Sequence, residues 1–154
     1  MKRPDTHHST EEFAQGVFRP HGRLDLSVVD GAIVRADAHG PFNVEFVNAL
    51  ARTLRELHAD PNLPRPYADI VQFHGSLMGS KEMLDQLSET LSQVGTREIA
   101  VALAFVVASD VEGRDFMLPL FECVFLENGR NVRSFENVPE AEVWVRGCLK
   151  AASA

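Results

Sequence analysis

A chain of 154 residues with 15 Lys and Arg against 22 Asp and Glu, a formal net charge of −7, fits a single acidic globular domain. The hydrophobic share of 45% and charged share of 24% exclude a wholly disordered chain, a collagen and a coiled coil. The average negative field opposes a broad nucleic-acid surface. The longest apolar run, Ile99 to Ala108, is about half a membrane span.

Residues 1–15 are polar and aperiodic. They read as a flexible arm ahead of a domain over 16–150, with His7 and His8 incidental to it. The start lacks the apolar centre of a signal peptide. Cys123 and Cys148 stand outside any CxxC pair and read as buried free thiols, which fits a cytoplasmic protein.

Arg23 to Val29 alternates, with Leu24, Leu26 and Val28 on one face, and a second extended run follows from Ala32 to Ala38. The two-residue Asp30-Gly31 link between them predicts a type I′ hairpin. After Gly40-Pro41, Asn43 caps a helix whose stripe is Val47, Leu50, Leu54 and Leu57, with Phe42 and Val47 at staple positions. Prolines within Asp60 to Pro66 end it. Tyr67 to Phe73 reads as a short strand and His74 to Ser80 as a Gly/Ser loop. Ser80 caps a second helix with Leu84, Leu87, Leu91 and Val94 inward, and Gly95 occupies the left-handed position at its end. Ile99 to Ala108 is apolar without alternation, as a central strand covered on both faces would be.

Ser109 to Asp115 is a charged connection. Phe116 to Leu126 has helical spacing, with Pro119 in its first turn or kinking it, and Asn128-Gly129 stops it. Arg130 to Phe135 predicts an edge strand, and Pro139 opens a last helix with Trp144 and Cys148 toward the sheet. The resulting order is α/β, β-β-α-β-α-β-α-β-α, in one domain with a mostly parallel five-stranded sheet.

This order resembles the SpoIIAA-like family of the STAS superfold. The carrying strings are His21-Gly22-Arg23-Leu24-Asp25 with the Asp30-Gly31 turn, Gly40-Pro41-Phe42-Asn43 with Glu45, Phe135-Glu136-Asn137, and Pro139-Glu140-Ala141 before Trp144. The likeness spans Phe18 to Leu149. It implies a small, non-enzymatic bacterial module. In this superfold such modules antagonise anti-sigma factors or bind proteins, nucleotides or lipids, and some are likened to Sec14-type carriers. The antagonists carry a phosphorylatable serine after an aspartate in the loop following the third strand. Here that loop reads His74-Gly75-Ser76-Leu77-Met78-Gly79-Ser80. The aspartate is replaced, and Ser76 is the nearest candidate phospho-acceptor.

Ligands of open α/β sheets sit beyond the carboxyl ends of the strands. That rule gathers His74, Gly75, Ser76, Ser80, Ser109, Asp110 and Arg114 into a candidate ligand- or anion-binding loop site. Glycines and hydroxyls ahead of a helix N-terminus suit an anion. The string is not a Walker A loop, because its spacing is one residue short and Ser80-Lys81 reverses the Lys-Ser order. No GxSxG elbow accompanies Ser76, and no HxH, HExxH or CxxC pair suggests a metal; no cofactor is implied. Phe116, Met117, Leu120, Phe121, Val124 and Phe125 form a helix apolar nearly all round, a candidate interface or lid. The leading functional expectation is a regulatory or binding module acting by contact with a protein partner or a second copy in a homodimer. The alternatives are a small carrier of a lipid or other apolar molecule, and a weak hydrolase using Ser76 and His74.

Overall fold

A computed structural model describes residues 7–13 and 20–153. The strands are β1 His7–Ser9, β2 Arg23–Val29, β3 Ile33–His39, β4 Ala68–His74, β5 Leu103–Val107 and β6 Val132–Phe135. The helices are α1 Val44–Ala59, α2 Lys81–Ser92, α3 Arg114–Glu127 and α4 Val138–Ala152. The sheet has six strands in the order β1-β2-β3-β4-β5-β6. β1 and β2 pair antiparallel, as do β2 and β3, and the remaining neighbours are parallel. The α/β class and the mostly parallel sheet expected from the sequence hold. The sixth strand does not follow from it: β1 lies in the segment expected to be a flexible arm. His7 to Ser9 pair with Ser27 to Asp25, and Leu24 N donates to Thr10 Oγ1 at 3.0 Å. Backbone pairing holds this segment, and polar side chains carry no apolar period to announce it.

The hairpin forms between β2 and β3, but Val29 pairs with Ile33, so the link is the three residues Asp30 to Ala32 rather than two. Asp30 and Gly31 both take positive φ, 46° and 80°, as the Asp-Gly pair promised. Asn43 caps α1, accepting from Phe46 N at 2.9 Å, and its oxygen also takes His21 N at 2.8 Å. Ser80 caps α2 through Met83 N at 3.1 Å. Gly95 is not the left-handed stop expected there. α2 ends at Ser92 with Gln93 as its C-cap, and Gly95 has φ −65°. Gly129 does take that role after α3, with φ 77° and Arg130 N bonding back to Phe125 O at 3.0 Å. Pro119 lies inside α3 rather than in its first turn, because the helix starts at Arg114. Cys123 is exposed and Cys148 half-buried, against the expectation of two buried thiols. Cys123 falls on the outer side of α3, where no sheet covers it.

β3, β4, β5 and β6 are joined by α1, α2 and α3, and each step moves one strand in the same direction. Right-handed crossovers then place all three helices on one face of the sheet. Their inward residues share a core with Leu26, Ala36, Phe73 and Phe105. α4, after the last strand, packs its Ala141 and Val145 on the opposite face, against Ile70, Ala104 and Val106. Trp144 and Cys148 flank that contact as half-buried residues. All of β5 is buried, as expected for a central strand with both faces covered. No helix of the described residues is long and apolar enough to cross a membrane.

Candidate functional site

Because the strand order never reverses, the sheet has no switch point at which loops splay apart over a crevice. The loop after β4 and the loop after β5 instead close on each other. Glu112 N donates to Gly75 O at 2.9 Å, and Leu77 N donates to Glu112 O at 2.8 Å. The structure therefore brings the His74–Ser80 and Ser109–Arg114 segments together, and it occupies their polar groups internally. Ser76 is buried and its Oγ accepts from Met78 N at 3.0 Å. His74 Nε2 lies 2.8 Å from Asp37 Oδ1, and its ring stacks on His39 at 4.6 Å. Ser80 serves as the α2 cap. Arg114 donates from Nε to Val107 O at 3.0 Å and pairs with Asp115. Ser109 and Asp110 stand exposed on the rim, and Gly75 is a turn residue with φ 73°. Gly40 sits so close beneath this joint that a Cβ there would lie 2.1 Å from Ser76 O.

The interior on the α1–α3 side is different. A cavity of about 140 Å³ lies between the sheet and these helices. Leu26, Ala36, Val71, Phe73 and Phe105 form its sheet wall. Phe46, Leu50 and Leu54 come from α1, Met83 and Leu87 from α2, and Phe121 and Phe125 from α3. The phenyl rings meet edge-on or tilted, Phe73 to Phe105 at 5.4 Å and Phe105 to Phe125 at 5.2 Å. At the amino-terminal end of the parallel strands the lining turns polar, with His58, Tyr67, Asp69, Glu98 and Arg130. This is the edge opposite the loop site expected from sequence. The half-buried lining residues are Leu50, Leu54 and His58 of α1, Asp69 and Val71 of β4, Val94 and Glu98 to Ala100 before β5, Phe125 of α3, and Arg130.

The polar end is ordered around Tyr67. Its hydroxyl donates to Glu98 O at 2.6 Å, so the proton shared with His58, 3.2 Å away, sits on the His58 Nε2. Burial lowers the His58 pKa and raises that of Tyr67, keeping both neutral. Glu98 itself is held ionised by its hydrogen bond from Arg65. Protein packs closely around the Asp69 carboxyl, although the residue is half-buried rather than fully covered, and it lines the cavity. Burial pushes its carboxyl up to about 7, with the charge of Arg130 acting in the other direction. Arg130 is anchored elsewhere, to Asn128 O at 2.5 Å and Leu91 O at 3.0 Å. A mostly apolar pocket with a few convergent polar groups and perturbed carboxyl chemistry is the usual form of a small-molecule site. Sequence reasoning missed this set. The available signal was Asp69 in the alternation Tyr67, Asp69, Val71, Phe73, where a carboxylate occupies the core-facing side of a strand.

The α3 residues divide between inside and outside. Met117 and Phe121 are buried, Val124 and Phe125 are half-buried against the same core, and Phe116 and Leu120 are exposed at 69% and 39%. The helix thus roofs the cavity with one side and shows an apolar strip on the other. Among the described residues no group of three or more His, Cys, Asp or Glu is placed to hold a metal. Comparisons with family models, curated proteins and solved structures return no match to this chain.

Proposed function

We propose that this chain is a non-catalytic module that binds a small, mostly apolar molecule in the cavity beneath α1, α2 and α3. The cavity itself carries the reading. Its wall is almost wholly apolar over about 140 Å³, with the polar groups gathered at one end, which is the usual form of a small-molecule site. A cavity of roughly 150 Å³ lined by Leu, Ile and Phe is enough to take up benzene, so the ligand is compact rather than a two-chain lipid. The SpoIIAA-like strings and their Sec14-type associations agree with a carrier of apolar cargo. The hydrolase alternative has little support, since the Ser76 hydroxyl and the His74 ring are each occupied by other partners.

The test is a thermal-shift series with toluene, naphthalene and octanol on the wild type and on Val71→Phe. Val71 borders the open space, so the larger ring fills it with little backbone cost. At least one compound is expected to raise the wild-type Tm and to leave Val71→Phe unmoved. Equal shifts in both proteins, or none in either, would sink the reading.

The exposed strip of Phe116 and Leu120 favours a second reading, a regulatory module of SpoIIAA-like type that acts by protein contact through α3. Light scattering and pull-downs comparing wild type with Phe116→Ser test it. Unchanged association state and unchanged partner recovery would remove it.

A further inference from the structure

Asp69 is the carboxyl on the cavity wall, half-buried, and it differs from the other polar groups of this interior in having no hydrogen bond to its side chain among the described residues. Thr53 Oγ1 donates to Ala49 O at 2.9 Å, Ser76 Oγ accepts from Met78 N, and the Tyr67 hydroxyl donates to Glu98 O. Among the described residues no donor bonds to the Asp69 carboxyl. Arg130 acts on it through charge alone, its guanidinium bonded to the carbonyls of Asn128 and Leu91. A carboxyl without a protein partner on a largely apolar wall is poorly accommodated. A bound molecule that brings a hydrogen-bond donor supplies the partner.

The surrounding charges select the kind of donor. Arg130 reaches the polar end from the turn before β6, neutral His58 from α1, Tyr67 from β4, and Glu98 with its partner Arg65 from the connections before β5 and β4. A cationic head would meet the Arg130 charge, and an anionic head would meet the ionised Glu98. A neutral N–H or O–H meets neither obstacle. The rest of the wall selects the body. Phe42, Phe46, Phe73, Phe105, Phe121 and Phe125 line a space of about 140 Å³, which is room for one ring or a small fused pair. Phenyl walls favour edge-to-face and offset contacts with another aromatic ring.

We infer that the cavity takes a small aromatic molecule with a single neutral N–H or O–H, of the indole or phenol class. The donor bonds to the Asp69 carboxyl and the ring packs among the phenylalanines. This inference rests on the binding function proposed above and names its ligand class.

Calorimetric titration with indole against indene, and with phenol against toluene, separates the two claims. Each pair matches in shape and differs in the donor. Wild type is expected to prefer the donor-bearing member by roughly tenfold or more, the size of a hydrogen bond to a charged or buried acceptor. Asp69→Leu removes the unpaired carboxyl, is expected to fold at least as stably, and should bind both members of each pair alike. Asp69→Asn keeps an acceptor oxygen and should retain a reduced preference. Equal binding of indole and indene, and of phenol and toluene, by wild type overturns the ligand class and leaves the cavity function standing. A preference that survives in Asp69→Leu overturns the role of Asp69. Failure of all four compounds to bind wild type overturns both claims.

Discussion

The two polar regions of this molecule lie at opposite edges of the parallel strands, and they differ in what their polar groups have left to do. At the carboxyl edge, the loops after β4 and β5 are stitched together, and Ser76, Ser80, His74 and Arg114 each have a partner within the chain. At the amino edge, Asp69 faces an open apolar cavity without a hydrogen bond among the described residues. Residue types associated with chemistry are more abundant in the first region. Unspent bonding capacity is concentrated in the second, and a ligand responds to capacity rather than to residue type.

The strongest way to break the comparison is to strain the stitched edge. Gly40→Ala would drive a methyl group to 2.1 Å from Ser76 O. Backbone cannot yield as a flexible side chain does, so the variant is expected to lose about 3 kcal/mol or more in urea denaturation. A loss below about 0.5 kcal/mol would mean that the two loops are not a structural joint.

Asp69 sharpens the other side through pH. Its carboxyl is raised from 3.8 to about 7 in the fold. Between those values the unfolded chain ionises while the folded chain keeps its proton, so stability falls as pH rises through that window and levels above it. Over the span from about pH 5 to about pH 8 the drop is on the order of 2–3 kcal/mol. Denaturation of Asp69→Leu at the same two pH values should show that drop removed. If wild type is equally stable at both, protein does not pack around the carboxyl as described.

Smaller effects are expected at the loop hydroxyls. Ser80→Ala removes the α2 cap and should cost about 1 kcal/mol. Ser76→Ala deprives Met78 N of its acceptor and should cost a similar ~1 kcal/mol. If either substitution leaves stability untouched but weakens phosphate binding, the carboxyl edge is an anion site and the comparison fails. The smallest effect belongs to the outer strip. Phe116→Ser and Leu120→Ser should change monomer stability by no more than about 0.5 kcal/mol, and sedimentation reports whether either alters association. The exposed Cys123 thiol, raised by its hydrogen bond with Glu127, should react with a thiol reagent more slowly than a free cysteine.

Short-range signals in the chain were sufficient for most of the architecture. Asn43, Ser80 and Gly129 act where cap chemistry puts them, and the alternation of Leu24, Leu26 and Val28 assigns one face of β2. These features depend on neighbours a few residues away, so the sequence carries them directly. Gly95 is not a helix stop because α2 already ends at Ser92, a matter of how the chain approaches β5. β1 escaped notice because its support is backbone pairing with β2, sixteen or more residues distant in the register.

The site required distance information of another order. Asp69, Glu98 and Arg130 are separated by long stretches of chain and meet only because three successive crossovers stack α1, α2 and α3 on one face. Sequence alone determined the α/β class, the caps, the hairpin and the apolar nature of α3. Tertiary structure decided that the loops after β4 and β5 close rather than open, and that a carboxyl on a strand's inner face borders the cavity. The physical reason is packing. Local propensity dictates which atoms face inward, whereas the volume left between helices and sheet depends on how every inward side chain fits against the others.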